Sequence, residues 1–198
     1  MKLPKPRFKG ELSLEEVIKK RRTVRSFLKK PLPLDYFAQL LWAGYGITEG
    51  FRRTVPSAGA LYPMDLYAAI GKDSVEWMDE GVYHYIPERH YVQLITGMDV
   101  RDEISQASLF QSWIADAPVC FIITAEYRRI TIKYGDRGIR YAIMEAGHIA
   151  QNIFLQAEAL GLGAGIVGAF HDEKIMQIAS LPANHYPLLI MPVGYAQH

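Results

Sequence analysis

Cysteine is almost missing from this 198-residue chain: Cys120 stands alone, which excludes an internal disulfide and a cysteine-based metal site. A surplus of either charge is missing too. Against 21 Asp and Glu stand 22 Lys and Arg, and a formal net charge of +1 gives no support to a general nucleic-acid binder. No charge-free run reaches membrane-spanning length, so no membrane insertion is expected. Residues 2–9 alternate charge with proline and lead into no apolar core. No signal peptide is therefore expected, and a cytoplasmic location is the default.

Apolar residues are plentiful. They make up 49% of the chain against 22% charged, the ordinary balance of a folded protein, and the length suits one domain with a real core. Residues 1–12 read as an arm and 13–198 as a single α+β domain without repeats or linkers. Ser13 and Glu16 have capping-box spacing and predict a helix through Arg22. A second helix is expected over 34–45, closed by Gly44 and Gly46. Residues 52–63 read as a loop, 66–70 as a strand, and 82–86 with 91–95 as a hairpin. Asp99 suits the N-cap of a helix running towards Leu109. The unbroken apolar run 118–125 predicts a strand buried on both faces. Asp172 is expected to cap a short helix to Ser180, and 188–193 to form the last buried strand.

Residues 133–170 carry the strongest signal. A long helix over about 139–160 is nearly all apolar, with Glu145, His148, Asn152 and Gln156 in one polar stripe. Such a helix needs enclosure by other elements or by a second chain. The glycine-rich turn that follows lets something approach its backbone closely. Gly163, Gly165 and Gly168 match the dinucleotide-binding spacing, but a helix precedes them and a β-like stretch follows, the reverse of what that site needs. Glu145 and His148 form one half of a di-iron pattern that requires the motif twice, so no metal is expected.

Two further segments carry candidate chemistry. Arg21, Arg22 and Arg25 flank Thr23, and planar guanidinium groups beside a hydroxyl suit a phosphate held in fixed geometry. The small residues of 55–63 offer a close backbone approach to a flat ligand, and their order is not that of a hydrolase nucleophile elbow.

Together these segments resemble the FMN-dependent nitroreductase family, most nearly its SagB-type dehydrogenase branch, which oxidises azolines to azoles in peptide maturation. The resemblance rests on RRTVRSF from Arg21, PSAGALYP from Pro56, the segment from Lys133 to His148, ALGLGAGIVGAF ending at Phe170, and the final PVGY. It implies a mixed, mostly antiparallel sheet flanked by helices, with two subunits paired through long central helices. It also implies FMN at the homodimer interface, with NAD(P)H as a transient electron donor. Carried onto this chain, Arg21, Arg22 and Thr23 would serve phosphate and ribityl, and Arg25 the N1/O2 edge of the ring. Pro56, Ser57, Ala58 and Gly59 would reach the site from the other subunit, while Ile166, Val167 and Gly168 would lie along the ring. Lys133 and Tyr134 match a pair that the SagB-type branch uses for proton handling.

The chain is too short for a separate nicotinamide domain, so ping-pong turnover is the expectation, on a small molecule or a peptide azoline. A flavin-binding or redox-sensing module without turnover is the alternative class. Two departures stand out. Relatives often read Ala-Gln-Gly where this sequence has Gly44, Tyr45 and Gly46. Many also carry basic residues beyond the last strand, so here the phosphate is expected to lean on the N-terminal arginines.

Overall fold

A computed structural model of the chain describes residues 1–197. The first helix, α1 (Leu14–Lys20), is opened by the expected capping box, with Ser13 and Glu16 each accepting from the other's backbone N–H. It stops at Lys20 rather than Arg22, because Val24 N–H donates to Ala164 O and draws the arginine segment out into extended backbone. Next comes α2 (Leu34–Tyr45), then strands β1 (Met64–Ile70), β2 (Gly81–Ile86) and β3 (Tyr91–Thr96). Three helices surround the central strand: α3 (Arg101–Ala107) and α4 (Trp113–Asp116) precede β4 (Val119–Ala125), and α5 (Arg128–Tyr134) follows it. The chain closes with α6 (Arg137–Ala159), β5 (Gly163–Ala164), α7 (Asp172–Ile178) and β6 (Tyr186–Gly194).

The six strands lie in the order β3-β2-β1-β4-β6-β5 and every neighbouring pair is antiparallel. The parallel component is confined to isolated bridges, one of which joins Thr23 to Ala164 and adds the arginine segment beside β5. All seven residues of β4 are buried, and their alternation divides the core. Val119, Phe121 and Ile123 face the layer holding α2 and α6, whereas Cys120 and Ile122 face α3 and α7. Helices therefore cover both faces of one sheet.

Several boundaries differ from the sequence expectation. Gly44 lies inside α2, where a Cβ would come within 3.1 Å of Ile153 on α6, so it permits close helix packing and leaves the capping position to Gly46. Asp99 precedes α3 by two residues; Val100 caps that helix, and the Asp99 carboxylate clamps the Arg101 guanidinium at 2.7 and 2.9 Å. Asp172 is the first residue of α7, and His171 holds the cap position. An unforeseen break at Gly135, with φ of 54°, separates α5 from α6. The N-terminal residues dock on β3: the Met1 amino group donates to Val92 O and Leu3 N–H to His90 O.

On α6, Ala142, Ala146, Ile149, Ala150, Ile153 and Ala157 are buried against the rest of the domain. Ile139, Ile143 and Met144 remain exposed on another face of the same helix, at 38, 54 and 49%. The polar stripe is divided among separate tasks. Glu145 is buried and His148 exposed, Asn152 donates to Ala43 O and Thr54 O, and Gln156 accepts from Gln39.

Candidate functional site

The predicted residues fall into two groups at different heights along α6. The first is the arginine segment laid on the glycine strip. Gly163 and Gly165 are needed there for packing within the chain, since a Cβ at Gly163 would press into Val24 and one at Gly165 would lie 2.8 Å from Trp113 Cη2 and from Val24 O. What approaches these two glycines closely is thus the chain's own segment around Val24. Gly168, by contrast with Gly163 and Gly165, is open, its nearest atom Leu189 Cδ2 at 3.9 Å. Val167 is buried and its N–H donates to Ile190 O, while the Ile166 and Gly168 N–H groups have no backbone acceptor among the described residues.

Arg21 stacks over the Phe154 ring at 5.1 Å and Arg25 over Trp113 at 5.8 Å. Among the described residues, no carboxylate comes within ion-pairing distance of Arg21, Arg22 or Arg25. Three guanidiniums on one short segment with no anion of their own are able to meet a negatively charged group. The aromatic rings hold the two outer guanidiniums without neutralising them.

The second group gathers around the loop before β1. At Gly59, whose φ of 63° favours glycine, a Cβ would lie 2.7 Å from Tyr134 Oη and 3.1 Å from Lys133 Nζ. Pro56, Ser57, Ala58 and Gly59 and the pair Lys133–Tyr134 therefore share one surface, although α5 was not foreseen as a helix. Lys133 is exposed and lies over the Tyr134 ring at 5.4 Å. Tyr134 packs edge-on against Tyr141 at the start of α6, whereas Arg21 meets Phe154 near its end. Those two contacts are separated by roughly 20 Å along the helix axis. One copy of the chain thus carries the two groups of predicted residues apart from each other along α6.

Behind the loop lies a polar cluster that sequence reasoning missed. Glu145 is 1% exposed; Tyr45 Oη donates to its Oε1 at 2.9 Å and itself accepts from Met64 N–H at 3.2 Å. Burial lifts the Glu145 carboxyl up to about 7, against the Ser57 and Tyr45 hydroxyls and the Arg53 charge, which pull it down. Glu145 Oε2 has no hydrogen-bond partner among the described residues, while the Ser57 hydroxyl lies near enough to the carboxyl to favour its charged form. Arg53 lies over the rings of Tyr45 and Tyr62 and pairs with Glu88 at 2.7 Å. Tyr45, at the centre of the segment that departs from Ala-Gln-Gly, is the residue that reaches Glu145.

A second, partly buried network braces α5. Arg129 donates to Asp65 Oδ2 at 2.7 Å, and His84 Nε2 hydrogen-bonds Asp65 Oδ1 at 2.9 Å. This ties the helix carrying Lys133 and Tyr134 to β1 and β2. A groove of about 1070 Å³ lies elsewhere, between residues 7–12, α2 and the end of α6, and none of the predicted site residues line it. No group of three or more His, Cys, Asp or Glu suited to a metal ion occurs among the described residues. No helix there is long and apolar enough to cross a membrane.

An antiparallel sheet covered by helices on both faces, with cationic and loop surfaces beside its longest helix, defines an α+β scaffold. The profile described as Nitroreductase family matches residues 18–195, and the chain belongs to that family of oxidoreductases. A candidate nitroreductase of Methanocaldococcus jannaschii is 50% identical over 186 residues, covering 93% of this chain and 91% of that one. The microcin B17-processing protein McbC of Escherichia coli is 27% identical over 147 residues, 72% of this chain but only 54% of McbC. Among solved structures, a nitroreductase-like protein of Ralstonia eutropha superposes with a TM-score of 0.85 at 27% identity, covering 99% of this chain and 89% of that one.

Proposed function

We propose that this chain is an FMN-dependent oxidoreductase, cytoplasmic and active as a homodimer, in which each flavin sits between the arginine segment of one copy and the 56–59 loop of the other. The observation that carries the reading is the separation of two incomplete half-sites along α6, one cationic without an anion and one a loop surface bearing Lys133 and Tyr134. A two-fold arrangement built on the exposed Ile139–Ile143–Met144 strip joins each half to its complement. FMN, when bound, supplies the hydride-accepting and hydride-donating chemistry.

The residues present suit that group. Arg21, Arg22 and Thr23 hold the phosphate and ribityl end, and Arg25 places a cation at the electron-rich edge of the ring. Ile166 and Gly168 offer free N–H donors along the glycine strip, with Val167 fixing the strip to β6. Pro56, Ser57, Ala58 and Gly59 close over the ring from the partner. Lys133 Nζ and Tyr134 Oη face the same space and take up or deliver the substrate proton.

The Lys133–Tyr134 pair at Gly59 favours a SagB-like dehydrogenase acting on azoline-bearing peptides, with NAD(P)H-linked reduction of small molecules as the companion activity. Anaerobic mixing with NADPH or NADH and then with a quinone tests the enzyme. Bleaching of the flavin, reoxidation by quinone and ping-pong kinetics are expected, and an obligatory ternary complex contradicts the mechanism. Flavin that binds but is never reduced marks a redox-sensing or flavin-binding module instead. With an azoline substrate, Lys133→Ala loses turnover; unchanged turnover removes Lys133 from the reaction.

A further inference from the structure

We propose that Glu145 is a positioning residue that sets whether Ser57 offers a hydrogen-bond donor or an acceptor at the ligand face of the 56–59 loop. Ser57 Oγ accepts from Tyr62 N–H at 2.9 Å, which pins the hydroxyl oxygen but leaves its proton free to turn. Glu145 is enclosed behind it, with Oε1 taken by Tyr45 Oη and Oε2 buried and unpartnered. The inference rests on the reading that this loop faces the flavin.

Only two arrangements satisfy the group. When Glu145 is ionised, Oε2 has no hydrogen and draws the Ser57 proton inward, so that Ser57 presents lone pairs to the ligand. When Glu145 is protonated, its own hydroxyl donates to Ser57 Oγ and the Ser57 proton turns outward as a donor. The titratable and charged groups facing Glu145 are few. Tyr45 comes from α2 and Arg53 from the loop after it, while Lys133 and Tyr134 of α5 lie against Gly59. Burial places the carboxyl's midpoint at about 7, so both arrangements are populated near neutrality. Most polar atoms of FMN are oxygen acceptors, and the outward proton therefore favours binding.

A glutamine at this position reproduces the protonated state permanently, its carbonyl accepting from Tyr45 and its amide donating to Ser57. From pH 6 to 8.5 the Kd for FMN, measured by equilibrium dialysis, is expected to weaken by roughly fivefold relative to Glu145→Gln at the same pH. Taking that ratio cancels titration of the FMN phosphate. A ratio that stays flat overturns the proposal. The second arm uses apo protein and needs no flavin: carbon-13 NMR follows the Glu145 carboxyl in wild type and in Ser57→Ala. Loss of the hydroxyl is expected to raise the midpoint by about half a pH unit or more. An unchanged midpoint overturns the coupling. A shifted midpoint with no FMN bound by any variant upholds the Glu145–Ser57 coupling and overturns the flavin reading.

Discussion

Replacing Glu145 by Gln changes the stability of the fold in a way that depends on pH, and the structure sets both sign and size. The side chain is 1% exposed, and burial raises its carboxyl from 4.5 in the unfolded chain to about 7. The folded protein therefore binds this proton more tightly than the unfolded chain does. Stability from the group is fully present below pH 4.5 and is lost as pH rises through about 7. The full loss is about 3 kcal/mol, of which about 2.5 kcal/mol falls between pH 5 and 8.5. Gln is neutral at every pH and keeps both neighbours, so it escapes the loss. Urea unfolding of both proteins across that range isolates the effect, because all other titrations cancel in the difference. Glu145→Gln should gain about 2.5 kcal/mol on wild type from pH 5 to 8.5. Curves that run parallel refute the buried, neutral-leaning carboxyl and the hydrogen-bond logic built on it.

A methyl group at Gly165 collides with Trp113 and Val24 O, so Gly165→Ala should cost about 1–3 kcal/mol in urea unfolding and weaken FMN binding by displacing the arginine segment. Asp65→Asn breaks the brace of α5 and should cost about 2–3 kcal/mol at neutral pH, discounted because Arg129 is partly exposed. Burial pushes the Asp65 carboxyl up, but the His84 hydrogen bond and the Arg129, His185 and His84 charges outweigh it and hold it below 3.8. Its stabilisation is present above that value and lost as pH falls through the lower folded one, so wild type and Asp65→Asn should converge in acid. Ile143→Asp places a charge on the exposed strip of α6; sedimentation should show the dimer dissociating, while monomer unfolding changes by no more than about 0.5 kcal/mol.

Local signals in the sequence were reliable where the deciding contacts are short-range. Ser13 and Glu16 form their capping box three residues apart, and the run through β4 is buried on both faces as its unbroken apolar character required. Signals failed where partners are remote. Tyr45 meets Glu145 across 100 positions, and nothing local marks that pair, so Glu145 read only as part of a polar stripe. Gly44 read as a helix end because Ile153, the neighbour that requires it, lies on another helix. Gly163 and Gly165 read as space for a ligand, whereas the arginine segment fills it, a contact fixed only when Val24 reaches Ala164. The residues of both groups stand out in the sequence, but their separation along α6 emerges only from the helix itself.

Complementation between two defective chains tests the shared flavin site most directly. One chain carries Arg21→Ala, Arg22→Ala and Arg25→Ala, the other a bulky substitution at Gly59, and each alone should bind no FMN. Unfolding and refolding them together forms dimers in which one site draws its arginines and its loop from unmutated segments. Absorbance titration should then recover one flavin for each mixed dimer, against one flavin per chain in wild type. No recovery on mixing, while the wild-type chain binds FMN as a monomer, would place the whole site within one copy and contradict the arrangement.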